Sequence, residues 1–243
     1  VTVRVVVAYD GTSYSGWQVQ PGRETVQGVL LRAARELLGD DVRVTGASRT
    51  DAGVHALRQV ASIRGGRAMP AAVVARALNA RLPRDVRVVS ASDADEGFDA
   101  RRTAAGKRYG YVIDNAPIPA PFLLRYAWHV PLRLDVEAMR RALVGLRGRH
   151  DFSAFCAAPG GDKSPTCEIR ALHVRRRRER VAVLVSADRF LHHMVRNIVG
   201  SAVEVGRGAR PAEWLADVLV SRDRGRAGPT APPQGLTLIR VMY

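Results

Sequence analysis

The amino-acid sequence predicts an α+β fold with mixed or antiparallel sheet and helices packed on one face of it. Three observations lead there. The order strand, helix, strands, helix, strand runs through residues 1–105 and again through 106–243, so the chain reads as two similar α+β halves. Tyr109, Tyr111 and Ile113 alternate onto one face, the period of two that marks a strand. Val26, Val29, Leu30, Ala33, Ala34, Leu37 and Leu38 recur instead at helical spacing.

Taken in order, Val1 to Tyr9 is β-branched and apolar, hence a strand. A polar, glycine-containing loop from Asp10 to Glu24 carries Tyr14 and Trp17. The helix that follows starts after Thr25, a favoured N-cap type, and stops at Gly39. Val42 to Thr45 and Gln59 to Ile63 are strand-like and flank the loop around Asp51. Pro70 to Asn79 reads as a short helix begun by proline, and Asp85 to Ser92 as a strand. In the second half, Lys107 to Asn115 is the alternating strand and the proline-spaced Asn115 to Pro121 a loop. Asp135 caps a helix whose apolar face holds Val136, Met139, Leu143 and Leu146. Glu168 to Asp188 reads as two long strands joined by a charged turn at Arg178-Glu179-Arg180. Phe190 to Val205 reads as a helix, with Leu191, Val195, Ile198, Ala202 and Val205 in register and Gly206 ending it. Pro211 opens a further helix, and Leu236 to Met242 closes the chain as a strand.

With 243 residues, 47% of them hydrophobic, the chain can bury a substantial core. No apolar run approaches the roughly 18 residues of a membrane span, and no charged-then-apolar leader opens the chain. Val1 is not a Met, which fits a processed or trimmed start. The two cysteines, Cys156 and Cys167, form no C-x-x-C or metal-ligand spacing, which fits a reducing cytoplasm. His192 and His193 are adjacent, so on a helix they point about 100° apart and share an ion poorly. A cytoplasmic protein without a metal centre is expected.

Charge is the strong global signal. Lys plus Arg number 38 against 23 for Asp plus Glu, a net +15 that draws polyanions, so nucleic acid is the default partner. A GC-rich genome would also favour arginine, and only Lys107 and Lys163 are lysine; charge alone leaves both readings open. The run Arg175 to Arg178 reads either as the solvated face of a hairpin or as an RNA contact.

One segment speaks about chemistry: Gly46-Ala47-Ser48-Arg49-Thr50-Asp51-Ala52-Gly53-Val54-His55-Ala56. It sets a carboxylate, Asp51, in a turn of small residues between two strands, where a large ligand can approach the backbone. The alternative is an Asx turn in which Asp51 bonds its own main chain.

Several further stretches accompany it: Tyr9-Asp10-Gly11-Thr12, Gly16-Trp17-Gln18, Val26-Gln27-Gly28 and Lys107-Arg108-Tyr109-Gly110-Tyr111. Later come Phe190 to Gly200, Thr230-Ala231-Pro232 and Gly235-Leu236-Thr237-Leu238. Together, and in this order over nearly the whole length, they resemble the tRNA pseudouridine synthase A (TruA) family. The resemblance implies the pseudouridine synthase fold: two similar halves forming a continuous mixed or antiparallel sheet, with flanking helices and a central RNA-binding cleft. It implies isomerisation of uridine to pseudouridine in the tRNA anticodon arm, at positions 38, 39 and 40. It also implies a homodimer that needs neither cofactor nor metal. The family's catalytic aspartate falls on Asp51, able to act as nucleophile or base. Arg196 is the partner that would keep it ionised, and otherwise an arginine snorkelling from an apolar helix. Tyr109 matches the family's active-site tyrosine, whose ring can stack on a flipped uracil; by pattern alone it is a strand core residue. Arg49 is placed to hold a phosphate or expose the base, and Leu238 or Leu236 to wall the pocket, Leu238 being the preferred choice.

Two departures stand out. Arg58 occupies the position before Gln59 where the family usually has glycine, as an outward phosphate contact or an inward intruder on the Asp51 loop. The loop Cys156 to Thr166 matches loosely. Two other functions are compatible with parts of the sequence. A basic RNA-binding or RNA-folding module would use the same cleft without chemistry. A glycoside hydrolase also attacks C1′, but it needs two flanking carboxylates and no second acid stands out.

Overall fold

The computed structural model describes residues 2–157 and 164–243. Most of the loosely matched loop after Cys156, including Lys163, lies outside the described residues, as does Val1. The elements run as β1 (Thr2–Tyr9), α1 (Val26–Leu38), β2 (Arg43–Gly46), β3 (His55–Arg64), α2 (Ala71–Asn79) and β4 (Val86–Ala94). Then follow β5 (Gly106–Asp114), β6 (Trp128–His129), α3 (Val136–Val144), β7 (Gly148–Asp151), β8 (Thr166–Arg177) and β9 (Arg180–Ala187). The helices α4 (Met194–Gly206) and α5 (Trp214–Ser221) precede the last strand, β10 (Leu236–Met242). The fold is α+β with mixed pairing. The chain divides into two units, one of residues up to Ala105 with Thr237–Tyr243, the other Gly106–Leu236.

In the first unit β1 lies between β3 and β4, antiparallel to both. The other edge of β3 is shared. Its C-terminal half pairs antiparallel with β2, Gly46 opposite Ala61, while its start pairs parallel with β10, Leu238 opposite Ala56. That pairing brings most of β10 into the first unit, whereas sequence order places it in the second half. A closing strand goes to whichever sheet edge is open, and chain order does not reveal that edge.

The residues explain the packing of this unit. Thr25 Oγ1 accepts from the Gly28 N–H (3.2 Å), Gly39 ends α1 at φ 113°, and every apolar residue assigned to the helix face is buried. Trp17 is buried so tightly over β2 that a Cβ on Gly46 would come within 2.3 Å of its ring. Gln27 ties the same loop down, donating to the Val44 carbonyl (2.8 Å) and accepting from Gln18 Nε2 (2.7 Å) and the Val19 N–H (2.9 Å).

In the second unit the sheet runs β5-β9-β8-β7, antiparallel throughout, with β6 added parallel to the end of β5. Asp135 Oδ1 caps α3 through the Ala138 N–H (2.9 Å), and Met139 packs where a Cβ on Gly206 would stand 2.9 Å away. Arg140 and Arg147 bind α3 and the turn after it to the Val174 and Leu172 carbonyls of β8 (2.9 and 2.8 Å).

Several expectations change here. The helix expected from Phe190 starts at Met194, because His193 sits in the left-handed region (φ 59°) and breaks it. His192 and His193 therefore do not diverge as on a helix; their rings lie 3.9 Å apart, tilted by 35°. Pro211 begins a turn closed by the Trp214 N–H (3.3 Å), and α5 begins three residues later than expected. The short, charged strand β7 has no alternating apolar pattern to announce it. In the arginine run, Arg175, Arg177 and Arg178 are exposed. Arg176 instead turns inward, donating to Asn115 Oδ1 (2.7 Å) and the Leu134 carbonyl (2.9 Å).

Cys156 and Cys167 are both buried, and burial pushes the Cys167 thiol up to about 11. The protonated thiol is therefore favoured by folding. Its contribution to stability is full below the ordinary value of 9.0 and is lost as the pH rises towards about 11. Iodoacetamide at pH 8 is expected to leave Cys167 unmodified in the folded chain and to label it fully in urea, read by mass spectrometry.

Candidate active site

The Asp51 loop leaves β2 at Gly46 and rejoins the sheet at His55, beside the point where β3 passes from β2 to β10. Its backbone is pinned at successive positions. The Gln59 side chain, fully buried in β3, accepts from the Ser48 N–H (3.2 Å) and donates to the Ser48 carbonyl (2.7 Å). The Tyr9 hydroxyl shares a hydrogen bond with Thr50 Oγ1 (2.8 Å), and the Thr50 carbonyl accepts from the Trp17 N–H (3.0 Å). The Gly53 N–H reaches the Tyr14 carbonyl (3.3 Å).

Two glycines make this docking possible. A Cβ on Gly11 would lie 2.0 Å from the Val54 carbonyl oxygen. Gly16, at φ 91°, approaches the Thr50 carbonyl so closely that a Cβ would lie 2.6 Å from it. These close approaches are the physical reason for the glycine in each of the Tyr9-Asp10-Gly11-Thr12 and Gly16-Trp17-Gln18 stretches.

The turn itself closes through the main chain. The Val54 N–H donates to the Asp51 carbonyl (3.1 Å), and Gly53 supplies the positive φ of 77° that the third turn position needs. The Asp51 side chain is half-buried between these anchored neighbours. Arg49 is exposed, between the buried Ser48 and Thr50. A carboxylate held this way has its position set by backbone bonds on both sides, the preorganisation that catalysis requires.

Arg58 is exposed, which answers the choice between outward and inward. Between Val7 opposite Gln59 and Tyr9 opposite Ala56 the β1–β3 register shifts by one residue, a bulge at Leu57-Arg58. The bulge turns two consecutive side chains outward, so the cation avoids the loop. Leu238 is fully buried on β10, opposite Ala56. Leu236 is also buried but belongs to the second unit.

Tyr109 and Arg196 belong to the second unit. Tyr109, on β5 opposite Val185, is 5% exposed and meets Phe190 edge-on, ring centroids 5.1 Å apart at 86°. Arg196 is held from the first turn of α4 by a reciprocal pair: its Nε donates to the Ala231 carbonyl (2.8 Å) and its own carbonyl accepts from the Ala231 N–H (3.1 Å). Asn197, fully buried, accepts from Thr230 Oγ1 (2.7 Å) and Arg224 (3.1 Å) and donates to the Phe155 carbonyl (2.8 Å). The Tyr111 hydroxyl donates to the Pro232 carbonyl (2.7 Å). Burial pushes the Tyr111 phenol up, against the opposing charge of Arg196, so it serves as a donor and not as a base.

Sequence reasoning missed Gln59, Tyr9, Asn197 and Arg224 as supports. A signal existed for two of them: Gln59 is a lone amide in an apolar strand, and Asn197 and Ser201 are polar residues one turn apart on an apolar helix. Gln59→Leu is expected to lower stability by on the order of 3 kcal/mol in urea unfolding, because both Ser48 main-chain groups lose that partner.

Comparison with known proteins follows the same lines. A family model described as tRNA pseudouridine synthase matches residues 5–101 and 142–243. The tRNA pseudouridine synthase A of Myxococcus xanthus is 49% identical over 242 residues, 99% of this chain and 91% of that protein. That of Thermoanaerobacter sp. (strain X514) is 43% identical over 241 residues, and that of Moorella thermoacetica 42% over 243, each alignment covering 99% of both chains. Asp51, Arg49 and Arg58 lie in the first matched segment and Arg196 and Leu238 in the second; Tyr109 falls between the two.

Proposed function

Because the chain belongs to the tRNA pseudouridine synthase family, we propose that it converts uridine to pseudouridine in the tRNA anticodon arm, at positions 38, 39 and 40, with Asp51 as the essential carboxylate. The observation that carries this reading is the Asp51 loop, pinned at Ser48, Thr50 and Gly53 and closed by the Val54 N–H on the Asp51 carbonyl. The reaction is an isomerisation. The N1–C1′ bond breaks, C5 bonds to C1′, C5 loses a proton and N1 gains one, so atoms balance without a cofactor. Asp51 serves as nucleophile or base, Tyr109 stacks on the extruded base, and Arg196 supplies the charge that keeps the carboxylate ionised. Arg49 and Arg58, both exposed, hold backbone phosphates, and Leu238 walls the pocket.

Tyr109→Leu is expected to lower kcat/KM by about 10–100-fold, the worth of one base stacked on an aromatic ring, with tRNA affinity nearly unchanged. The direct test of function maps pseudouridine at single-nucleotide resolution in unmodified tRNA transcripts incubated with the chain. Modification confined to the anticodon arm supports the reading, and its absence from every tRNA overturns it.

The same reading carries a homodimer in the cytoplasm. Exposed Ile118, Phe122 and Leu124 support self-association, since clustered apolar exposure marks contact surfaces. Sedimentation equilibrium is expected to return twice the chain mass; the mass of one chain would overturn this part.

A further inference from the structure

The second unit contains a cavity of about 460 Å³ that the proposed chemistry does not use. That volume lies within the roughly 300–1,000 Å³ of small-ligand sites and is ample for one nucleotide. It opens between the end of α4, the start of α5 and the segment Gly225–Pro229. We propose that it is a second RNA subsite. It takes one nucleotide of the bound tRNA other than the target uridine, the base against Trp214 and the phosphate between Arg210 and Arg226. This rests on the tRNA reading above.

Three features converge on that chemistry. The first is an aromatic wall with a cation already placed: the Arg210 guanidinium stands 5.2 Å from the centroid of the half-buried Trp214 ring. Stacking on indole holds the guanidinium at the mouth, and an aromatic face next to an arginine is how proteins hold an unpaired base and its phosphate.

The second is charge. Among the described residues, Arg210 and Arg226 line the cavity with a single acid, Glu204, and Arg207 engages that acid at 3.2 Å. An anion entering the cavity therefore meets net positive charge, and paired arginines suit a phosphate's geometry.

The third is a preformed wall. The Gly228 N–H donates to Ser201 Oγ (2.9 Å) and the Gly228 carbonyl accepts from Arg224 (3.0 Å). A Cβ on Gly228 would lie 2.8 Å from Ser201 Cα, so the segment is seated directly against α4. A rigid wall removes the ordering cost that a mobile loop would add to binding.

The test compares the full chain with Arg210→Ala/Arg226→Ala and Arg210→Lys/Arg226→Lys, measuring tRNA affinity across a salt series. Both arginines are exposed, so neither exchange removes core packing, and thermal melts check that each variant is folded. The alanine variant is expected to bind tRNA about tenfold more weakly, and its log–log salt slope to fall by about 0.7–0.9, the share of one phosphate. The lysine variant, retaining charge, should keep the slope of the parent chain. Parent-like affinity and slope in the alanine variant would overturn the subsite. AMP and inorganic phosphate are titrated alone, following the quench that Trp214→Phe removes. Saturable micromolar binding of AMP would overturn the RNA assignment in favour of a free-nucleotide site. Pseudouridine assays on the same samples separate the two readings. A parent chain that forms none fails the functional proposal, while the affinity and salt data still decide the cavity.

Discussion

Asp51→Asn is expected to abolish pseudouridine formation, lowering kcat by at least about 10⁴-fold, while tRNA still binds within about threefold of the parent affinity. The exchange keeps the shape of the side chain and removes only its ability to carry negative charge and take a proton or attack carbon. The loop should survive it, because the anchors are main-chain and neighbouring groups: Ser48 on Gln59, Thr50 on Tyr9 and Trp17, and the Val54 N–H on the Asp51 carbonyl. Thermal melting within about 2 °C of the parent would show that. Single-turnover assays at saturating tRNA then separate chemistry from binding. Retained pseudouridine formation would sink the catalytic assignment. Loss of binding together with loss of turnover would make Asp51 an RNA contact or a fold element. A non-catalytic RNA-binding module makes the opposite prediction, that Asp51→Asn changes nothing measurable. A glycoside hydrolase would release free base, which the same assay detects.

The loop was legible in the sequence as a candidate site, but its support was not. A carboxylate among small residues between two strands is a local pattern, so reading along the chain finds it. Gln59 holds Ser48 across 11 positions and Tyr9 reaches Thr50 across 41, and no local pattern encodes such pairings. The caps of α1 and α3 were legible for the same reason the loop was, since a cap is a contact three residues long. The start of α4 was not. Phe190 and Leu191 fit the helical apolar register, yet His193 takes a left-handed conformation and Phe190 packs on Tyr109 instead. Tertiary packing overrode propensity there. β10 is legible as a closing strand, while its partner, the start of β3, lies far away in sequence and could not be read. Arg58 is the informative intermediate case. Its two readings hinged on one direction, and the bulge that turns it outward is a property of pairing between strands, invisible along either strand alone.

Gly200→Ala is expected to destabilise the second unit more than any surface change and to lower activity with it. Gly200 sits in α4 where the segment Pro229–Ala231 crosses, and a Cβ there would lie 1.7 Å from the Pro229 carbonyl oxygen, 2.9 Å from its carbon and 3.2 Å from the Ala231 nitrogen. All three are main-chain atoms, so no rotamer change relieves the clash, and the segment must move away from the helix. Its neighbours move with it. Ala231 holds Arg196 through two hydrogen bonds, Thr230 bonds Asn197, Gly228 bonds Ser201, and Pro232 accepts from Tyr111. Overpacking costs about 1–3 kcal/mol by itself, and displaced partners of buried Asn197 and Ser201 add to it. At about 2–4 °C per kcal/mol for a chain of this size, Tm should fall by roughly 6–12 °C. Gly145→Ala is the matched control, because its Cβ would meet only the Ala216 Cβ at 3.8 Å, an ordinary contact. Activity measured well below the lowered Tm carries the second half of the argument. If the Ala231 anchor positions Arg196 for the reaction, kcat falls in the folded variant by about tenfold or more while KM for tRNA changes little. A folded Gly200→Ala chain with parent kcat would show that Arg196 does not depend on that anchor, and a parent-like Tm would show that the helix and the segment are not packed as tightly as the 1.7 Å approach requires.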